Sequence, residues 1–326
     1  MSFEFSELNI RNVSMITLIF GAGASWDSEN LELRDKGATP PLGDNLFFRL
    51  NNLGGATSRL DDTIKDIFIK KGYEVGIDSL QASNKVLVPI LRETADYLSS
   101  FSPTTDNAYT RLFKQIRNNI TNVTIATLNY DLLIEQSLLN LSIGVSYLCE
   151  SDYNGAKVIK FHGSSNLVPV MPKNITFINP HFESDKGVFV ETNTVEYLRG
   201  HNEIVTWLRA QRNDLLAPIM CLYNREKRVL YSKRAMDEIQ EKLYHSIGES
   251  TALFLIGIKY VHHDTHLWEP ILKSNCHIVI FDPYPTTELI EILKNRNGES
   301  TIIKDGFYSS ATRITGLINK FLREGK

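Results

Sequence analysis

The chain reads as an α/β protein: a Rossmann-like parallel sheet flanked by helices, with an inserted helical module. Three observations predict this. Short apolar runs at Met15–Phe20, Val123–Ala126, Val158–Phe161, Ala252–Ile256 and His277–Phe281 have the length and continuity of strands buried on both faces. Each run stops abruptly at glycine or polar residues. Between the runs, apolar residues recur at three- and four-residue intervals, the period of helices laid over a sheet. In an open α/β sheet, ligands bind outside the carboxyl ends of the strands, so these stops should converge on one site.

The first run ends at Gly21, Ala22, Gly23 and Ser25. Glycines allow a tight strand-to-helix turn and close approach to a pyrophosphate, whose charge a helix N-terminus stabilises. The third glycine of the usual dinucleotide fingerprint is missing, so a plain βα turn explains the same residues. From Asp27 to Gly43 the chain is polar and carries Pro40 and Pro41, which predicts a loop able to reach over the site. Helical spacing then dominates from about Ile64 to Ile120, with Val86, Leu87, Ile90, Leu91, Ala95 and Leu98 on one stripe. Those helices are expected to cover a sheet face.

The second run leads into Thr127, Asn129 and Asp131. An asparagine at a strand end offers donors and an acceptor to a sugar hydroxyl or water, and a carboxylate accepts from a carboxamide. Both residue types also cap helices, and a helix is expected from Leu132 to Leu139. The third run ends at His162, followed by Gly163 and Ser164, small residues that leave room for a ligand. Imidazole serves as a general base near neutral pH, although a lone histidine is more often structural.

From about Ser165 to Ser250 a second excursion carries Pro169, Pro172 and Pro180, then helical patterns at Val195–Ala210 and Ala235–Ile247. It separates two strands of the same sheet and reads as an inserted module, so residues 1–326 form a single domain. The fourth run ends in the stretch from Gly257 to Asp264. Within and after it, His262, His263 and His266 form a cluster in which His262 and His266 have the spacing of one helix face. No third metal ligand is identifiable, so no metal is expected there. After the fifth run, Asp282 is positioned to hold ribose hydroxyls, or to start a turn before Pro283.

Composition narrows the function classes. The 326 residues are 42% hydrophobic and 22% charged with a net charge of -3, which disfavours disorder and a nucleic-acid-coating surface. The basic residues Arg225, Lys227, Arg228, Lys233 and Arg234 read as a solvated face. No apolar run approaches a bilayer span, and the acidic start lacks the basic flank of a signal peptide, so a cytoplasmic protein is expected. Cys149, Cys221 and Cys276 are too few and too scattered for a four-cysteine zinc site or a disulfide framework.

Taken in order, the glycine turn with Ser25, Thr127 with Asn129 and Asp131, and His162 with Gly163 resemble the sirtuin superfamily, in particular its bacterial sirtuin-like branch of anti-phage defence proteins. The segment Thr39 to Gly43 with Asn45 and Leu46 is similar to that branch as well. The resemblance implies NAD as substrate. Gly21, Ala22, Gly23 and Ser25 would hold the pyrophosphate, Asn129 the nicotinamide ribose and a water, and Asp131 the nicotinamide carboxamide. His162 matches the catalytic histidine and Gly257 a strand-end glycine near the ribose, where Ile258 and Lys259 replace the usual hydroxyl residue. Asp264 matches a position where defence relatives often carry aspartate. Without zinc ribbon cysteines, hydrolysis of NAD to nicotinamide and ADP-ribose is favoured over protein deacylation or ADP-ribosyl transfer; a non-catalytic nucleotide-sensing subunit is the remaining alternative. Control by assembly is expected, through a homo-oligomer or a complex with a HerA-type ATPase or an Argonaute-like protein, with no direct nucleic-acid or membrane binding.

Overall fold

The structure, a computed structural model, describes residues 15–80, 84–147, 154–170, 194–220, 232–262 and 264–324. Its strands are β1 (Met15–Phe20), β2 (Val123–Thr127), β3 (Val145–Ser146), β4 (Ala156–Lys160), β5 (Leu167–Pro169), β6 (Val195–Tyr197), β7 (Ser250–Ile256), β8 (His277–Phe281) and β9 (Ser300–Ile303). Seven of them form one sheet in the order β3-β4-β2-β1-β7-β8-β9, and every pairing in it is parallel. The chain therefore builds outward from β1 on one side, then returns to add β7 on the other. That reversal makes a switch point between the carboxyl ends of β1 and β7, the position where open α/β sheets bind ligands.

Burial follows from the alternation of a strand covered on both faces. Thr17 points to one face, where its Oγ1 donates to Ser246 O at 3.3 Å. Phe20 points to the other, with its ring edge-on to Tyr109 at 5.1 Å and Phe113 at 6.5 Å. The first face is covered by the helix Lys233–Glu249, whose buried Met236, Ile239, Leu243 and Ile247 lie one or two turns apart and which packs on β1, β4 and β7. The second is covered by the helices Ala108–Ile116 and Phe307–Glu324, packed on each other. Two-sided cover explains why the strands are near-continuous apolar runs.

The two excursions are organised differently from the sequence expectation. Within 64–120, it is Ala108–Ile116 that joins the layer over the sheet, whereas Asn84–Ser99 packs against the helix His201–Arg209 of the second excursion. Arg92 fastens them: its guanidinium donates to Asn213 O at 2.6 Å, Leu216 O at 2.7 Å and Leu208 O. In the second excursion Val195–Tyr197 is extended rather than helical, paired antiparallel with Leu167–Pro169. Helix Lys233–Glu249 belongs to the sheet as the crossover into β7. Pro172, Pro180, Arg225, Lys227, Arg228, Cys149, Cys221 and His263 lie outside the described residues.

The stretch from Asp27 to Gly43 is partly helical. Asn30 caps a helix over Leu31–Asp35 by accepting from Leu33 N at 3.0 Å. Its beginning is fixed to the core, because Glu29 accepts from Thr104 N and Asn107 Nδ2 at 2.9 and 2.8 Å. A loop that lifts away as a whole is therefore not what the sequence builds here. Among the described residues no helix is long and apolar enough to cross a membrane.

Candidate active site

The turn after β1 and the turn after β7 are interlocked. Gly21 N donates to Ile256 O and Gly23 N to Gly257 O, each at 3.0 Å. A Cβ on Gly21 would stand 2.6 Å from Gly257 O, and one on Gly257, whose φ is +62°, would stand 2.2 Å from Ala24 N. These glycines are thus required by backbone packing at the switch point. The N–H groups of Gly21, Gly23 and Ala24 are all committed within the protein, so the expected cradle of free N–H groups is not open at those three residues. Ala22 stands exposed at the turn.

Asn129 joins this turn to the end of β2. Its Nδ2 donates to Gly21 O and to Ser25 Oγ, both at 2.9 Å, and its own N–H is held by Thr127 Oγ1 at 3.0 Å. Thr127 is buried beneath the loop. Ser25 is also buried, within 3.1 Å of Tyr109 OH, and burial holds that phenol well above its ordinary pKa. Thr127 and Ser25 therefore position Asn129. With both amide protons committed, Oδ1 is the atom that Asn129 offers to a hydroxyl or water.

Asp131 is buried, and its Oδ1 accepts from Leu133 N at 3.1 Å, the helix-start role expected of aspartate. Burial raises its carboxyl above the usual range, and Lys160 opposes that rise. The Lys160 ammonium, itself buried, donates to Asp131 O at 2.7 Å and pairs with Glu135 Oε1 at 3.0 Å. Lys160 and Glu135 escape a reading of the sequence because one looks like a strand residue and the other like a helix surface residue. Only the fold brings them together.

His162 follows β4 and is buried. Gly163 has φ +80°, and a Cβ there would lie 2.1 Å from Ile219 O. The space beside it is filled by the Ile219 backbone, which also accepts from Ser164 N at 2.9 Å. Gly163 thus fits a close chain crossing rather than leaving room for a ligand. The Nε2 of His162 faces the Nε2 of His266 at 3.2 Å, and the other nitrogen of His266, Nδ1, lies 2.6 Å from Asp264 Oδ1. Phe161 stacks on the His266 ring with centroids 5.1 Å apart and planes 12° from parallel.

The remaining candidates are dispersed. The helix after β7 starts only at Thr265, so His262 and His266 do not share a helix face. His262 is exposed and lies 3.5 Å from Glu288 Oε1. Asp282 follows β8 and accepts from Tyr284 N at 2.8 Å, the turn-starting role. Lys233 and Arg234 pair with Asp237 and Glu238 one turn on, at 2.8 and 3.1 Å, as a solvated face does.

His162, Asp264 and His266 bring ligand-type atoms within 4.8 Å of one another. Yet Asp264 approaches His266 on the ring nitrogen opposite the one that meets His162. Each residue contributes a single such atom to that grouping, and Asp264 is the third ligand-type residue that the sequence did not identify. Cys276 is a buried free thiol, raised in pKa by its burial, and no cysteine cluster occurs among the described residues.

No protein-family model matches the sequence, and no curated protein matches it. Solved structures do. The chain is similar to a histidine-to-asparagine variant of a Sir2 homologue in complex with ADP-ribose, at TM-score 0.51 and 13% identity over 98% of each chain. A serine-to-alanine variant of a Sir2 homologue with ADP-ribose superposes at TM-score 0.50 and 12% identity, over 98% of this chain and 97% of that one. A further Sir2 enzyme gives TM-score 0.50 and 14% identity over 95% of each chain. The sheet order, the interlocked glycine turns and these superpositions together show that the chain has a sirtuin-like fold.

Proposed function

We propose that the protein is an NAD+ glycohydrolase that cleaves NAD+ to nicotinamide and ADP-ribose. The observation that carries this reading is the placement of Asn129 and His162. They follow the neighbouring strands β2 and β4, which pair Thr127 with Lys160, and Asn129 is fastened to the β1 turn with Oδ1 left to accept. Sirtuin-fold neighbours crystallised with ADP-ribose support a nucleotide at this sheet edge.

The chemistry asks little beyond grip and orientation. Nicotinamide leaves C1′ of the ribose as a neutral ring, and positive charge builds on the ribose as the bond stretches. Asn129 Oδ1 would hold the ribose hydroxyl or attacking water, and His162 would take its proton. Asp131 and the backbone around Gly257 would border the nicotinamide and ribose. The exposed Ala22, with Gly21, Gly23 and Ser25 behind it, would border the pyrophosphate, and Asp282 the outer ribose. Protein deacylation is disfavoured because three cysteines cannot build a four-cysteine ribbon.

A role in anti-phage defence, with activity governed by assembly of like chains or by a HerA-type or Argonaute-like partner, belongs to the same proposal. An enzyme that destroys NAD freely would harm its host, which calls for a resting state. The test is incubation of purified protein with NAD+, with and without an acyl-lysine peptide and across protein concentration, with chromatography of products and sedimentation in parallel. Nicotinamide and ADP-ribose formed without peptide support the proposal. Turnover that requires the peptide, or its survival in both Asn129→Ala and His162→Ala, would overturn it.

A further inference from the structure

Among the described residues, His162, Asp264 and His266 are the one set of three metal-ligand side chains gathered together, each offering one atom and all of these within 4.8 Å of one another. They come from separate segments. His162 follows β4, Asp264 precedes the helix Thr265–Lys273, and His266 is that helix's second residue. Because β4 and β7 are separated in the sheet by β2 and β1, the set joins the two sides of the proposed nucleotide edge. Its chemistry is selective: two imidazoles with one carboxylate suit zinc and its transition-metal neighbours, whereas magnesium and calcium prefer oxygen ligands.

The histidines already have the separation that one ion requires. Zinc–nitrogen bonds of about 2.1 Å at a tetrahedral angle hold two nitrogens about 3.4 Å apart, and Nε2 of His162 lies 3.2 Å from Nε2 of His266. Phe161, stacked on His266, keeps that ring in place. Asp264 stands toward the other nitrogen of His266, so its carboxylate must turn and draw in by up to about 1.4 Å to complete the shell. His162 and Asp264 are both buried, and a dication there would neutralise a carboxylate held largely out of water.

We propose that His162, His266 and Asp264 form an inhibitory site for one divalent ion of the zinc class, with water on the remaining position. This rests on the reading of His162 as the base. A neutral imidazole that binds the ion through Nε2 carries its single proton on Nδ1. Both nitrogens of His162 are then occupied, and neither takes a proton from a ribose hydroxyl or water. One coordinate bond forms at each ligand, waters leave the hydrated ion, and any proton held between the two Nε2 atoms passes to solvent. No electrons change hands, and removal of the ion restores the base. His245 with Glu249 and His277 with Glu299 are surface pairs with only two ligands each, so one equivalent of ion should bind ahead of the rest.

The test uses the untagged full chain, stripped of metal with EDTA and dialysed. Zinc chloride added in a calorimeter should bind at one equivalent per chain, and magnesium chloride should give no saturable heat. His266→Ala and Asp264→Asn should each weaken zinc binding by about 10-fold or more; His266→Gln, which keeps the bulk without the imidazole, repeats the measurement if the alanine chain does not fold. NAD+ turnover by the stripped chain should fall by about 10-fold or more at saturating zinc and return with EDTA. Each variant, compared with its own metal-free rate, should resist zinc. Zinc affinity unchanged in the variants, turnover unaffected at saturating zinc, or turnover that requires zinc would each overturn the site. Because binding is read without turnover, a chain that holds one zinc through these residues yet leaves NAD+ intact refutes the hydrolase reading and retains the metal site.

Discussion

Asn129 Nδ2 reaches Gly21 O at 2.9 Å, so a side chain at the end of β2 supports the backbone of the turn that ends β1. The contact converts an amide that could have bound ligand into part of the frame. It also orients the oxygen on the same amide group, since a planar carboxamide with both protons fixed has a fixed acceptor.

Asn129→Asp therefore separates the frame from the charge. A carboxylate cannot donate, so Gly21 O loses its side-chain partner and Ser25 Oγ loses one donor. We expect a stability loss of about 1–3 kcal/mol, read by urea denaturation, and NAD+ turnover lowered by about 10²-fold or more. Asn129→Ala should lower turnover as much. Turnover within about threefold of wild type in either variant would contradict the assignment.

The interlocked turns make Gly257 sensitive. Gly257→Ala must accommodate φ +62° and a Cβ 2.2 Å from Ala24 N, and should cost about 2 kcal/mol or more. Gly248 in the helix Lys233–Glu249 and Gly316 in the helix Phe307–Glu324 have open space where a Cβ would stand. Alanine at each should stabilise by about 0.5–1 kcal/mol. Denaturant midpoints of the three variants check the contrast.

Lys160 and Glu135 form a buried pair at 3.0 Å. Lys160→Met leaves the carboxylate without its cation and should destabilise by about 3–5 kcal/mol. Adding Glu135→Gln removes the orphaned charge and should restore at least half of that. A double-mutant cycle in which the two effects simply add would show that the pair is not coupled.

Asp131 gives a pH dependence of defined sign. Its carboxyl is raised above 3.8 in the folded protein by burial, so the folded state holds that proton more tightly than the unfolded chain does. Its contribution to stability therefore falls as pH rises from about 3.8 through the raised value, and is lowest above both. Asp131→Asn lacks this loss. Relative to wild type, it should melt higher at neutral pH and lose that advantage in acid, as calorimetry across pH would record.

Much of the sheet was legible because β1, β2, β4, β7 and β8 are largely buried on both faces, and such strands are near-continuous apolar runs. β3, with two residues, and β9, Ser300–Ile303, lie toward the sheet edges and carry too little apolar signal to stand out. The site was legible where one residue acts at one strand end, as at Asn129 and His162. It was not legible where function depends on a distant partner: Ser25 reads as a phosphate contact until Asn129 and Tyr109 are seen to enclose it. The small residues were found for one reason and are needed for another. Gly21, Gly163 and Gly257 mark the site because backbones cross there, and a crossing of that kind leaves the same trace in sequence as a ligand contact.

β1 lies at the centre of the sheet, between β2 and β7, and its second neighbour is contributed more than 230 positions later, with Ile16 opposite Ala252. At a synthesis rate of about 5–20 residues per second, roughly 10–50 s separate the two strands on the ribosome. Throughout that interval one side of the most apolar strand has no native partner, an exposed edge able to pair with another chain. Productive folding in the cell should therefore depend on shielding the nascent chain until Ser250 and the residues after it emerge. Expression at lower temperature, or with excess holdase chaperone, should raise the soluble yield more than any single stabilising substitution in the finished fold.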